Sequence, residues 1–265
     1  MRQYQNLLKY ILKNGKSHAD RTGTGTTSVF GYQFRHCLSN GFPLLTTKRV
    51  SLRHVAGELF WFLSGDTNAR TLQAQNIHIW DDWQDENGDL GPIYSAAWRN
   101  FHGVDQIKRV VDMIQRDPNS RRIYCTALDP ANIPEVAPTA CHSFFQIKCY
   151  DEGTLDLHMY MRSCDSFLGL PYNIASYALL LQLLAHVTGY VAHDLIISFG
   201  DLHIYNNHQD QVQEQLGRIP RFLPTITINQ DLCNGGYNAL MVAKWEDIML
   251  VNYGPYPKIK GDISV

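Results

Sequence analysis

The run Ala140-Cys141-His142-Ser143-Phe144-Phe145-Gln146-Ile147-Lys148-Cys149-Tyr150 puts a Cys-His pair at the head of an alternating segment, and Arg162-Ser163-Cys164-Asp165 follows soon after. A thiolate is the softest nucleophile a side chain offers, and it attacks an electron-poor carbon once nearby cations lower its pKa. Arginines are available for that task. Taken alone, Cys141 reads more readily as a small buried hydrophobe than as a nucleophile, and His142 equally as a satisfied core histidine. Glu58 sits mid-helix between apolar neighbours, beside Leu59, Phe60 and Trp61. Desolvation there raises a carboxyl toward neutrality, as an acid/base requires. An exposed helical glutamate is the plain alternative. His203 and Tyr205, two apart on an extended run, project to one face. Their spacing to His208 is not a zinc pattern, so no metal is expected. Trp80 and Trp83 read as core residues, and Arg121-Arg122 as a solvated charged pair.

The elements that must hold these groups follow from periodicity. Tyr4 to Lys13 has apolar residues at helical spacing and Gly15 as a stop; Leu52 to Leu63 is a second helix ended by Gly65. Asp105 caps a helix running through Met113, and Asn173 stands as the cap of the most apolar helix, Ile174 to Val187. Extended runs are expected at 123–128, 143–150, 154–162, 195–199, 225–229 and 248–253, with Asp151-Glu152-Gly153 as a hairpin turn. Helices and strands do not alternate strictly. The expectation is therefore an α+β fold, one domain over 1–265, with a mixed, mostly antiparallel sheet flanked by helices.

At 265 residues and a formal charge of −2, the chain suits one core and lacks the basic footprint of a general nucleic-acid binder. Its six cysteines form no CxxC pair, which favours reduced thiols in a cytoplasmic compartment. The start shows no signal-peptide pattern, and no apolar run looks long enough to span a bilayer, so no membrane association is expected. Cys37, Cys125, Cys149 and Cys233 lie outside any reactive cluster and are expected to be structural and buried.

Ten segments occur in one order: Asp20-Arg21-Thr22-Gly23-Thr24-Gly25-Thr26, Pro43 to Lys48, Glu58 to Leu63, Ile79 to Trp83, Asp89 to Tyr94, Ser120-Arg121-Arg122, Cys141-His142, Arg162 to Asp165, Gly169-Leu170-Pro171-Tyr172-Asn173 and Gly200 to Tyr205. Together they closely resemble the folate-dependent thymidylate synthase family over nearly the whole chain. The resemblance implies an obligate homodimer packed sheet to sheet. It also implies methylation of dUMP at C5 to dTMP, with 5,10-methylenetetrahydrofolate as cosubstrate and dihydrofolate as co-product. In that reading Cys141 adds to C6 of the uracil ring, and Asn173 stabilises the enolate through O4 and reads N3–H. Glu58 is the general acid/base, and Tyr94 and His142 complete a water network. The nucleotide is held by Arg21, Arg162, Ser163, Asp165, Asn173, His203 and Tyr205, and by Arg121 and Arg122 of the neighbouring subunit. Lys48, Trp80, Trp83, Asp165, Gly169, Tyr172 and Val265 serve the folate.

Some positions depart from the common pattern of the family. Ala140 precedes the nucleophile where proline is usual, Ser51 replaces a frequent histidine, Leu128-Asp129 stands for Trp-Asn, and the tail Gly261-Asp262-Ile263-Ser264-Val265 is unusually polar. These changes cluster toward the folate half. A dUMP 5-hydroxymethylase, which traps the same methylene intermediate with water, is the alternative, and a non-catalytic nucleotide- or RNA-binding protein is the reading from another class.

Overall fold

A computed structural model describes residues 1–20, 22–131 and 139–264. The first helix, α1 (Arg2–Asn14), buries Tyr4, Leu7, Leu8 and Ile11 along one stripe, and Gly15 N–H closes it on Ile11 O. The strands β1 (Lys16–His18) and β2 (Thr26–Cys37) follow, then the helices α2 (Leu52–Ser64), α3 (Ala69–Gln73), α4 (Tyr94–Asn100) and α5 (Gln106–Arg116). Next come β3 (Tyr124–Thr126), β4 (His142–Cys149), β5 (Thr154–Asp165), α6 (Gly169–Thr188) and β6 (Val191–Tyr205). The chain closes with α7 (Gln209–Leu216), β7 (Thr225–Ile228), α8 (Gly236–Val242) and β8 (Ile248–Val251).

Six strands form one sheet in the order β1-β2-β6-β5-β4-β3, and β7 pairs with β8 apart from it. Among the described residues only β5 and β6 run parallel; the other neighbours in the large sheet are antiparallel. The expected α+β class with a mixed, mostly antiparallel sheet is what the chain adopts. The β4–β5 hairpin turns at Asp151-Glu152-Gly153, where Gly153 N–H reaches Tyr150 O and Tyr150 N–H reaches Thr154 O.

Helix α6 organises the core. It packs on β5 and β6 and against α2, α5 and α8, so apolar side chains cover most of its circumference. At 20 residues it is long and apolar enough to cross a membrane, contrary to the sequence expectation, but 78% of the apolar window is buried within the protein. Its apolar character is therefore accounted for by the core.

This topology collects one end of the sheet. The head of β4, the ends of β5 and β6, the beginning of β2 and the first turns of α6 all meet there. The hairpin and the amino end of β6 lie at the other end. One face of the central strands stays open, with the Phe144 and Tyr160 rings stacked at 5.9 Å and 19°.

Several elements differ from expectation. Asn173 does not cap a helix: α6 begins at Gly169 after Leu168, and Asn173 lies inside it. Pro171 does not interrupt the helix because first-turn N–H groups have no partner within it. The strand expected at 195–199 runs from Val191 to Tyr205, passing through Gly200. A Cβ on Gly200 would lie 2.8 Å from Arg162 O, so the close approach of β5 requires glycine. Cys125 and Cys149 are buried as expected, but Cys37 is half-buried and Cys233 exposed.

Candidate active site

Cys141 stands at the mouth of β4, and its backbone is held from two sides. Its N–H donates to the Tyr94 hydroxyl at 2.7 Å, and its carbonyl accepts from Arg162 N–H at 3.0 Å. Arg162 then folds over the same loop, donating from Nε to Ala140 O at 3.0 Å and from Nη2 to Thr139 O at 2.6 Å. That fold leaves Nη2 3.7 Å from Cys141 Sγ. A guanidinium at this range favours a thiolate over a thiol.

Tyr94 opens α4, and its oxygen also accepts from His142 N–H at 3.4 Å. Burial first, and the neighbouring Cys141 second, push its pKa well above the ordinary phenol value, so it stays a phenol. His142 lies beneath, 8% exposed, with its ring 4.8 Å from that of Tyr94. Burial lowers its pKa to about 4, which keeps the imidazole neutral. Asn173, projecting from the second turn of α6, meets His142 Nε2 at 2.8 Å. With the amide N–H donating there, the ring proton sits on Nδ1.

Glu58 comes from the middle of α2, and the Trp80 indole N–H donates to Oε1 at 2.9 Å. The residue as a whole is half-buried. Burial raises its pKa to about 7, outweighing the lowering effect of the Trp80 hydrogen bond. The Trp80 contact carries no sequence signal, since the two residues are 22 positions apart. Trp80 itself is 7% exposed, its ring 5.9 Å from Trp83 and 6.1 Å from Tyr94. It therefore forms a polar contact as well as an aromatic wall.

At the ends of the parallel strands, Ser163 pairs with Asp201 and Asp165 with His203. His203 and Tyr205 share one side of β6, their rings 5.0 Å apart and edge to face. Asp165 Oδ1 accepts the N–H groups of Phe167 and Leu168 and so sets the entry to α6. Gly169 leaves open the space a side chain would fill: a Cβ there would be 3.7 Å from Asn173 Oδ1 and 3.9 Å from the Asp165 Cβ. Trp83 and Tyr172 pack, half-buried, against the core. Lys48 is placed differently. It is 4% exposed, its ammonium lies 3.6 Å from the centre of the Phe167 ring, and it donates to Phe167 O. Burial lowers its pKa to about 7.

Arg121 and Arg122 are exposed and not brought to this site. Tyr124 pairs with Gln146, far along β4 from Cys141, so the two arginines lie about 20 Å away at roughly 3.3 Å per residue. Arg21 and Val265 lie outside the described residues.

The departures also find their places. The Ser51 hydroxyl caps α2, accepting from His54 N–H at 3.4 Å. Ala140 and Leu128-Asp129 border a cavity of about 280 Å³ that lies beside Tyr94. The polar tail touches the segment before β2 and the residues after β6: Ser264 Oγ is 3.3 Å from Thr24 Oγ1 and 3.4 Å from Asn207 Nδ2, while His208 Nε2 donates to Asp262 O at 2.8 Å.

Among the described residues, Cys37, His193 and Asp194 have metal-ligand spacing at the far end of the sheet. His193 and Asp194 already have ion-pair partners within the fold. Asp194 pairs with Arg35 at 2.5 Å and His193 with Asp156 at 2.8 Å.

The sequence model of the thymidylate synthase family matches residues 2–265, nearly the whole chain.

Proposed function

We propose that this chain, which belongs to the thymidylate synthase family, converts dUMP to dTMP with 5,10-methylenetetrahydrofolate, with Cys141 as the nucleophile. The observation that carries the reading is that Tyr94 holds the Cys141 backbone beside Arg162 and packs both against Trp80, the partner of the near-neutral Glu58, and against His142, the partner of Asn173.

The C5 carbon of uracil is too weak a nucleophile to be alkylated directly. The Cys141 thiolate adds its electron pair to C6, and the C5–C6 π electrons move toward C5 and O4. Asn173 donates to the developing O4 charge, an interaction stronger in the transition state than before it. The amide is already polarised against a neutral imidazole, so it enters the step oriented. Glu58, near neutrality, can give a proton at O4 and take one from C5 through intervening water. Tyr94 stays protonated and holds the Cys141 backbone while relaying that water network. The reduced folate supplies the one-carbon unit and, on oxidation to dihydrofolate, the hydride that completes the methyl group. Elimination breaks the C6–S bond and returns the thiolate. Trp80, Trp83 and Tyr172 would wall the folate and exclude water, with Gly169 leaving room for it.

Two copies associate through the open sheet face. The exposed Phe144 ring, stacked on the half-buried Tyr160, supports this, as does the placement of Arg121 and Arg122 far from their own Cys141. Six free cysteines are in keeping with a reducing, cytoplasmic compartment.

The test is to incubate the protein with dUMP and methylenetetrahydrofolate and identify the nucleotide product by mass. Formation of dTMP with an equal yield of dihydrofolate is expected. A 5-hydroxymethyl product would replace the hydride step by water and make the chain a hydroxymethylase.

A further inference from the structure

The role of Asp201 follows from its place on β6, two residues before His203 and on the same side of the strand. Asp201 Oδ1 lies 2.7 Å from His203 Nδ1. His203 is held in the sheet between Ser28 of β2 and Asp165 of β5, its side chain only 9% exposed, while Asp201 is 48% exposed. Tyr205 packs edge-on against the ring. The hydrogen bond from His203, with a further one from Ser28, holds the Asp201 carboxyl below the usual range. An ionised carboxylate can only accept, so Nδ1 must carry the proton. In the neutral ring, Nε2 then has a lone pair and no hydrogen.

We infer that Asp201 is a positioning residue that fixes His203 in the tautomer with a bare Nε2, and so selects nucleotides ending in a free 3′-hydroxyl. This rests on the proposed reading that His203 and Tyr205 meet the ribose. A hydroxyl can donate to the bare nitrogen. A 3′-phosphate or 3′-phosphodiester offers only acceptors, and it brings negative charge toward the lone pair and the Asp201 carboxylate together. The site would therefore take a free mononucleotide and refuse both a 3′-phosphorylated nucleotide and a residue inside a polynucleotide. A buried donor or acceptor left unmatched is what makes such discrimination strong.

The inference is tested in two ways. In the nucleotide-free protein, nitrogen NMR of labelled histidine should find the neutral His203 ring protonated at Nδ1 only. A signal from an Nε2–H tautomer would overturn the inference, whatever the substrate is. Binding is then compared for dUMP, its 2′,3′-dideoxy analogue and 2′-deoxyuridine 3′,5′-bisphosphate. The wild type should prefer dUMP to the dideoxy analogue by about tenfold, the worth of one good hydrogen bond. Because a hydroxyl can also accept from an Nε2–H, the bisphosphate is the arm that reads Asp201: the wild type should prefer dUMP to it, and Asp201→Ala should narrow that preference by about tenfold while leaving the fold intact by circular dichroism. Asp201→Asn, whose amide oxygen can still accept from Nδ1, should restore part of the preference and serves if the alanine variant misfolds. A preference unchanged in both variants would refute the role of Asp201. Failure of dUMP to bind the wild type would refute the substrate reading, while the tautomer still judges Asp201.

Discussion

Replacing Glu58 by glutamine should make the protein more stable above neutrality while depriving it of turnover. The Glu58 carboxyl is raised by burial from 4.5 to about 7. Each pKa step is worth about 1.4 kcal/mol, so ionising Glu58 inside the fold costs about 3 kcal/mol more than in the unfolded chain. Its partial contact with solvent trims the expected gain to about 2–3 kcal/mol. The sign follows from the raised value. Below about pH 4.5 the carboxyl is protonated in both states and contributes no difference. Between 4.5 and 7 the unfolded chain releases the proton first, and stability falls as pH rises. Above 7 the loss is complete. Glutamine keeps an oxygen to accept from Trp80 but never ionises, so its advantage should appear through that window and level off beyond it. Urea denaturation of both proteins at one fixed concentration, from about pH 5 to pH 8, measures this directly. Parallel stability curves would refute the burial argument. The same variant should lose about 10²- to 10⁴-fold in kcat, the range for a missing acid/base.

Trp80→Phe removes the one donor that lowers the Glu58 pKa, so the limb of the pH–kcat profile governed by Glu58 should move to higher pH; an unmoved limb would dissociate the pair. Asn173→Asp should improve kcat/KM for dCMP relative to dUMP by about tenfold or more, since a protonated or water-bridged carboxyl can match the cytosine amino edge; an unchanged ratio would remove Asn173 from base discrimination. Mixing inactive Cys141→Ser and Arg122→Glu homodimers should restore partial activity, because one site of each mixed dimer receives both native residues. Proven subunit exchange without recovered turnover would argue against donation of the arginines.

Elements with clean periodicity were legible in the sequence. The stripe of Leu7, Leu8 and Ile11 gave α1, the Leu52–Leu63 run gave α2, and the alternation on both sides of Asp151-Glu152-Gly153 gave the hairpin of β4 and β5. Other elements were masked by local composition. Gly31 interrupts the alternation of β2, and Gly200 hides the continuation of β6, although each strand passes through its glycine. Pro171 obscured the start of α6, which turned Asn173 from an expected cap into a residue aimed at His142. The candidate residues of the site came from ordered motifs, but their contacts did not. The Trp80 bond to Glu58, the Arg162 clamp over Cys141 and the inward turn of Lys48 join residues far apart in sequence, and only packing fixes them.

The central claim is that Cys141 adds covalently to the pyrimidine. The most direct test is the intact mass and peptide map of the protein after incubation with 5-fluoro-dUMP and methylenetetrahydrofolate. Fluorine at C5 cannot leave as the proton does, so the adduct should persist. The account expects nucleotide and folate on the peptide containing Cys141, and no adduct in Cys141→Ser. Label on another cysteine, such as the half-buried Cys37, or an unmodified wild-type protein would contradict it.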